Sequence, residues 1–170
     1  MEPGQDREIA ALTFASYVHI FFGVNMNDYM KVALEEAKIA FDNNEVPVGA
    51  VIVKNGKIIA KAHNLKKNSN NIMNHAEMIA ITEASEYLGD WRLNDCDMYI
   101  TLEPCPMCAG AIEQSRIHKI YIGSESNIAC NKNVITEILQ NSDYNHRVLI
   151  EYLKNEDCSK ILTAFFTNKR

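Results

Sequence analysis

From residue 26 onward the apolar side chains alternate between helix-like and strand-like spacing, and turn residues mark the changes. Asn27 or Asp28 is placed to cap a helix running to about Asn43, with Val32, Ala33, Ala37, Ala40 and Phe41 near one face. Pro47 opens an apolar run, Val48 to Val53. Asn55-Gly56, a strong hairpin signal, turns the chain into a second strand, Lys57 to Ala62. Leu65 to Asn74 is polar and asparagine-rich and reads as an exposed loop. A helix is expected from His75 to about Tyr87, stopped by Gly89. Met98 to Leu102 reads as a short strand, and Pro104–Cys108 leads into a helix through Ile112. Ile117 to Ile122 is a further strand; helices near Val134–Gln140 and Glu156–Phe166 bracket a last one at Val148–Tyr152. A hairpin followed by alternating helices and strands predicts an α/β sandwich around a mixed sheet, in one domain without repeats.

Composition narrows the classes. A chain of 170 residues, 47% apolar and 23% charged, can bury a core and is neither disordered nor a disulfide scaffold. A net charge of −5 argues against a general polyanion binder. Lys54, Lys57, Lys61, Lys66 and Lys67 are close enough in sequence to form a local basic stripe, or a solvated edge. The five cysteines are an odd set in which Cys105 and Cys108 are the close pair, which fits a reducing cytoplasm. Ile9 to Val24 is largely apolar, but acidic residues precede it, Ser16 and His19 interrupt it, and it falls short of the ~20 residues of a membrane span. Residues 1–25 are therefore read as an extension outside a domain at 26–170, with no membrane attachment.

Two fragments carry chemistry: His75-Ala76-Glu77 and Pro104-Cys105-Pro106-Met107-Cys108. Two cysteines three positions apart can aim both sulfurs at one metal ion. Alone, the pair also fits half of a structural zinc site or a redox dithiol. A structural zinc takes four protein ligands, and no second close cysteine pair exists; Cys96, Cys130 and Cys158 read as small buried residues. Adding His75 gives three ligands and an open fourth position, the arrangement of a catalytic zinc. His75 and Glu77 do not share a face inside a helix, so they converge only at a helix start. There the helix dipole favours thiolates and a developing hydroxide. Glu77, beside the metal but not bound to it, is placed to shuttle a proton to a leaving ammonia.

Together the fragments resemble the zinc-dependent nucleobase and nucleoside deaminases. From Met26 onward the chain looks like the bacterial tRNA-specific adenosine deaminases. The matching stretches are Ala33 to Ala37, Glu45 to Val51, Asn64, Trp91-Arg92-Leu93, Thr101 to Cys105, Met107 to Ala111, Ser115-Arg116-Ile117, Asn145-His146-Arg147 and Phe165-Phe166. The resemblance implies a three-layer α/β/α cytidine-deaminase-like fold with a central mixed five-stranded sheet, and one zinc per subunit. It also implies a cytoplasmic homodimer that converts the wobble adenosine of an arginine tRNA to inosine. Asn64, the Ala76 backbone and Glu77 would contact the flipped base, and Val46 would form pocket wall. Asn145, His146, Phe166, Lys169 and Arg170 would lie against RNA. An anticodon-loop base is already single-stranded, so extruding it costs less than extrusion from a duplex.

Three stretches depart from the family. The loop from Ser124 to Val134 lacks its usual glycines, Asn71-Ile72-Met73-Asn74 replaces Asp-Pro-Thr-Ala, and the chain stops at Arg170 without a basic tail. Two alternatives stay open: a deaminase of a free base or nucleoside, of guanine or cytosine type, and an inactive zinc-bearing RNA-binding scaffold.

Overall fold

A computed structural model describes residues 26–126, 132–141 and 143–167. Helix α1 (Met26–Asp42) leads into the hairpin β1 (Gly49–Lys54) and β2 (Lys57–His63). Then follow α2 (Ala76–Leu88), β3 (Cys96–Leu102), α3 (Pro106–Gln114), β4 (Lys119–Ser124), α4 (Lys132–Gln140), β5 (Leu149–Tyr152) and α5 (Glu156–Thr167). The five strands form one mixed sheet in the order β2-β1-β3-β4-β5. Strand β1 is antiparallel to β2 and β3, whereas β3, β4 and β5 run parallel. The hairpin turn is the one its sequence demands: Asn55 and Gly56 both take positive φ, 51° and 75°.

Strand alternation sends side chains to two separate cores. Ala50, Ile52, Met98, Ile100, Ile120 and Ile122 pack with Ala76, Ala80 and Ala84 of α2 and Ala109 and Ile112 of α3. Each fully buried isoleucine there contributes about 1.5–3 kcal/mol. Val51, Val53, Tyr99 and Tyr121 face the other way, onto Tyr29, Met30, Ala33 and Leu34 of α1 and Cys158 of α5. The sheet is thus the middle of three layers, with α1 and α5 on one face and α2, α3 and α4 on the other. Small residues let α1 lie close to β1: a Cβ added at Gly49 would collide with the Ala33 carbonyl and sit 2.7 Å from the Ala37 nitrogen.

The strand and helix order matches expectation, with shifts at the ends. Strand β3 begins at Cys96, because Cys96 and Asp97 pair with Lys54 and Val53. Strand β4 begins at Lys119. Ile117 is buried ahead of the strand, just after Arg116 turns the chain at φ 66°, so its apolar character reflects the core and not strand pairing. Cys96 and Cys158 are buried, as read; Cys130 lies outside the described residues.

The asparagine-rich loop is exposed, but its polar side chains knit it together. Asn71 Oδ1 accepts from the Met73 N–H, Asn74 Nδ2 donates to Ser69 Oγ, and Leu65 N–H donates to the Asn74 carbonyl. Asn68 N–H donates to Glu45 Oε1. The lysine stripe is not a single surface: Lys54 donates to the Asn94 carbonyl, Lys57 to Tyr87, and Lys61 pairs with Glu36. Lys66 and Lys67 stay exposed on the loop.

Candidate active site

Helices α2 and α3 both begin where the sheet ends, after β2 and β3, and each begins on a candidate ligand. His75 is the N-cap of α2 and Cys105 the N-cap of α3, and neither spends its side chain on capping. Pro106 sits at the first position of α3, where its missing N–H costs nothing and its fixed φ suits the helix. Cys108 follows one turn from Cys105 and returns to the same side. The N–H of Ala76, at the start of α2, is satisfied from elsewhere: it donates to Asn64 Oδ1 at 2.9 Å, in a fully buried position. Asn64 Nδ2 donates in turn to the Val46 carbonyl at 3.0 Å. One asparagine therefore ties the helix start to the segment entering β1.

His75 Nδ1 lies 3.7 Å from Cys105 Sγ and 3.5 Å from Cys108 Sγ, and the two sulfurs are 3.6 Å apart. Zinc–sulfur and zinc–nitrogen bonds of ~2.3 and ~2.05 Å at tetrahedral angles predict edges of about 3.8 Å between sulfurs and about 3.6 Å from nitrogen to sulfur. The observed triangle matches both. Among the described residues these three form the metal-ligating group, and Glu77 is beside it but not part of it. The donor set itself calls for a cation. A thiol hydrogen bond from Cys108, with His75 adding to it against burial, holds Cys105 down at about 4. The same sulfur–sulfur bond, together with burial, pushes Cys108 up. A hydrogen bond to Cys105 raises His75. Three donors competing for too few protons are what a divalent ion satisfies at once.

Glu77 is buried, and burial raises its carboxyl above the usual range, with the backbone N–H and the neighbouring histidine pulling the other way. A buried carboxyl beside the ligand group is placed to accept a proton and pass it on.

The triangle opens on a pocket of about 210 Å³ lined by Val46, Asn64, His75, Glu77, Cys105 and further residues. That is below the ~300 Å³ at which drug-sized pockets begin, and suits one heterocycle better than a whole nucleotide. Val46, Asn64, His75, Glu77 and Cys105 are thus gathered as the sequence implied. Ala76 and Cys108 are fully buried behind them.

The expected RNA-facing residues are spread out. Asn145 and His146 precede β5, at the sheet edge opposite the metal ligands. Asn145 is exposed, and the half-buried His146 donates from Nε2 to the Ile117 carbonyl at 2.6 Å. Phe166 is 41% exposed, while Phe165 is buried edge-on against Phe41 at the end of α1. Lys169 and Arg170 lie outside the described residues.

Glu45, Lys66, Leu102, Glu103 and Ser126 also line the pocket, and sequence reasoning gave them no such role. Glu103 offered a signal: a carboxylate closing a buried apolar strand two residues before a ligand.

The same region matches the family model for the cytidine and deoxycytidylate deaminase zinc-binding region, over residues 24–124. The tRNA-specific adenosine deaminase of Bacillus subtilis is 44% identical over 143 residues, covering 84% of this chain and 89% of that protein. A solved structure from a study of A-to-I editing by tRNA:A34 deaminases at the wobble position superposes with a TM-score of 0.71. It is 36% identical and covers 80% of this chain and 99% of its own. A guanine deaminase structure, also from Bacillus subtilis, gives a TM-score of 0.58 at 39% identity, over 60% of this chain and 66% of that one. Ligand triangle, buried acid and extended similarity agree: the chain belongs to the zinc-binding cytidine and deoxycytidylate deaminase family, among the tRNA-specific adenosine deaminases.

Proposed function

We propose that this protein is a zinc-dependent aminohydrolase that converts the wobble adenosine of an arginine tRNA to inosine, working as a cytoplasmic homodimer. The observation that carries the reading is the zinc-sized triangle of His75, Cys105 and Cys108 with the buried acid Glu77 at the floor of a base-sized pocket. The 44% identity to a tRNA-specific adenosine deaminase supports the substrate. So does Lys66 in the pocket lining, which offers charge to phosphates, on a loop that also exposes Lys67 and the apolar Ile72 and Met73. Asn145 and His146, at the far edge of one chain, reach RNA held at a partner's pocket in the dimer. Residues 26–170 are the domain and 1–25 an extension of it. Among the described residues no helix is long and apolar enough to cross a membrane.

His75, Cys105 and Cys108 would hold the zinc, which would supply activation of a water molecule for attack. The chain's own residues do the rest. Val46 and Asn64 hold the extruded base flat against the pocket wall, and the small volume excludes bulk water. Glu77 takes one proton from the attacking water and delivers it to the ring nitrogen beside the attacked carbon; it then takes the second proton, from the newly formed C–OH, and passes it to the departing amino group as the carbonyl forms. Adenosine and water give inosine and ammonia, and Glu77 returns to its starting state.

The test is incubation of the zinc-loaded protein with an arginine anticodon stem-loop, guanine, cytosine and free adenosine. Inosine in the stem-loop alone is the expected result. The 39% identity to a guanine deaminase favours a second reading, deamination of free guanine, and turnover of guanine without RNA would establish it. Full zinc with no turnover of any substrate would point to a scaffold.

A further inference from the structure

Glu103 is a buried carboxylate, 5% exposed, and both its oxygens accept from neutral donors. Tyr152 OH donates to Oε1 at 2.7 Å, and the Ser126 N–H donates to Oε2 at 3.1 Å. Its own N–H donates to the Ser124 carbonyl at 2.9 Å. One residue thus joins the ends of β3, β4 and β5, at the edge where the pocket lies. Glu103 and Ser126 form pocket wall, as Val46 and Asn64 do. A carboxylate accepts from both donors at once; an amide keeps both partners only if its oxygen accepts from the Ser126 N–H and its NH2 donates to the Tyr152 hydroxyl oxygen. Ser124 is tied separately, Oγ to Ser159 Oγ at 3.0 Å, so loss of Glu103 loosens Ser126 without detaching the strand end.

We propose that Glu103 is a positioning residue: its carboxylate fixes the segment after β4 as a pocket wall, and so sets how tightly the target base is held. It takes no part in the proton transfers, which belong to Glu77. This rests on the deaminase reading above, but the clamp itself is measurable without any substrate.

Glu103→Ala, Glu103→Gln and Tyr152→Phe are compared with the parent protein by steady-state kinetics on an anticodon stem-loop, zinc stoichiometry and hydrogen exchange at the Ser126 amide. Glu103→Ala is expected to raise KM about tenfold, the worth of one charge-assisted hydrogen bond, with kcat within about twofold and zinc still stoichiometric. Its Ser126 amide exchanges faster. Glu103→Gln restores amide protection and most of the KM, because Nε2 can donate to the Tyr152 oxygen while Oε1 keeps the Ser126 bond. Tyr152→Phe, which spares the Ser126 bond, leaves that amide protected. Unchanged KM and unchanged exchange in Glu103→Ala overturn the proposal, and so does a fall in kcat at constant KM, which would put Glu103 in the chemistry. Should Glu103→Ala not fold, loss of amide protection in Glu103→Gln overturns it and retention supports it. A parent protein that leaves the stem-loop untouched defeats the functional reading, while the exchange data still decide the clamp.

Discussion

Replacing Asn64 by alanine removes both ties that hold the start of α2. The Ala76 N–H loses its acceptor and the Val46 carbonyl its donor. Ala76 is wholly buried, and its N–H is left facing the space that the Asn64 side chain filled. Loss of a helix cap costs about 0.5–2 kcal/mol, and a buried polar group left unpaired about 1–3 kcal/mol. The two overlap at Ala76, which puts the expected loss at about 2–4 kcal/mol, a large share of the ~5–15 kcal/mol total of a typical domain. At about 2–4 °C per kcal/mol for a chain of this size, Tm falls by ~4–16 °C. Denaturant unfolding of zinc-loaded protein should show a lower midpoint at unchanged slope, the sign of a stability effect alone. Asn64→Asp separates the two ties, since its carboxylate still accepts from Ala76 at a helix start but cannot donate to Val46. It should fall between parent and alanine variant. A loss below about 1 kcal/mol in Asn64→Ala, with activity abolished, would refute the clamp and leave Asn64 a role toward substrate alone.

Glu77→Gln keeps full zinc and loses about 10²–10⁴-fold in ammonia release, measured beside metal content; retained turnover removes Glu77 from the mechanism. Chelation of zinc lowers Tm, and metal loss becomes easier as pH falls because the two thiolates regain protons; titration calorimetry at several pH values reads the slope. Burial raises Glu36, but hydrogen bonds to His63 and Lys61 outweigh it and hold the carboxyl below its usual range. Its contribution is therefore present above the unfolded carboxylate range and is lost as pH drops through the folded value. Glu36→Gln should cost about 1 kcal/mol at neutral pH, reduced by the exposure of Lys61, and little once the pH has fallen through the lowered folded value; a pH series of unfolding midpoints checks it. Gly49→Ala forces a methyl into the Ala33 backbone and should cost more than ~3 kcal/mol or yield no folded protein, read by soluble yield and Tm.

Much of the site was legible because its chemistry depends on local spacing. Two ligands one helical turn apart, and an acid two residues after a third, are visible in a string of letters. The sheet was equally plain, since Ala50 to Val53 and Ile120 to Ile122 alternate between two cores. What the sequence hid depends on partners far along the chain. Asn64 meets Ala76 across a loop, and Glu103 meets Tyr152 after 49 residues. The sequence left the lysines open between a basic stripe and a solvated edge, and only the fold shows that Lys54, Lys57 and Lys61 each have a separate partner. The loop at 65–74 read correctly as exposed, but nothing in its composition disclosed that its asparagines bond to the loop's own backbone and hydroxyl groups and to each other.

The central place of β3 bears on how the chain reaches its native state. The β1–β2 hairpin can close early, because its partners are neighbours in sequence. His75 and Cys105 are 30 residues apart and flank β3, so they meet only after that strand has inserted beside β1. Ion capture should therefore come late in refolding, sealing a nearly finished sheet and not nucleating it. Adding zinc at the start or midway through refolding should leave the rate of sheet formation unchanged, while slowing the reverse reaction.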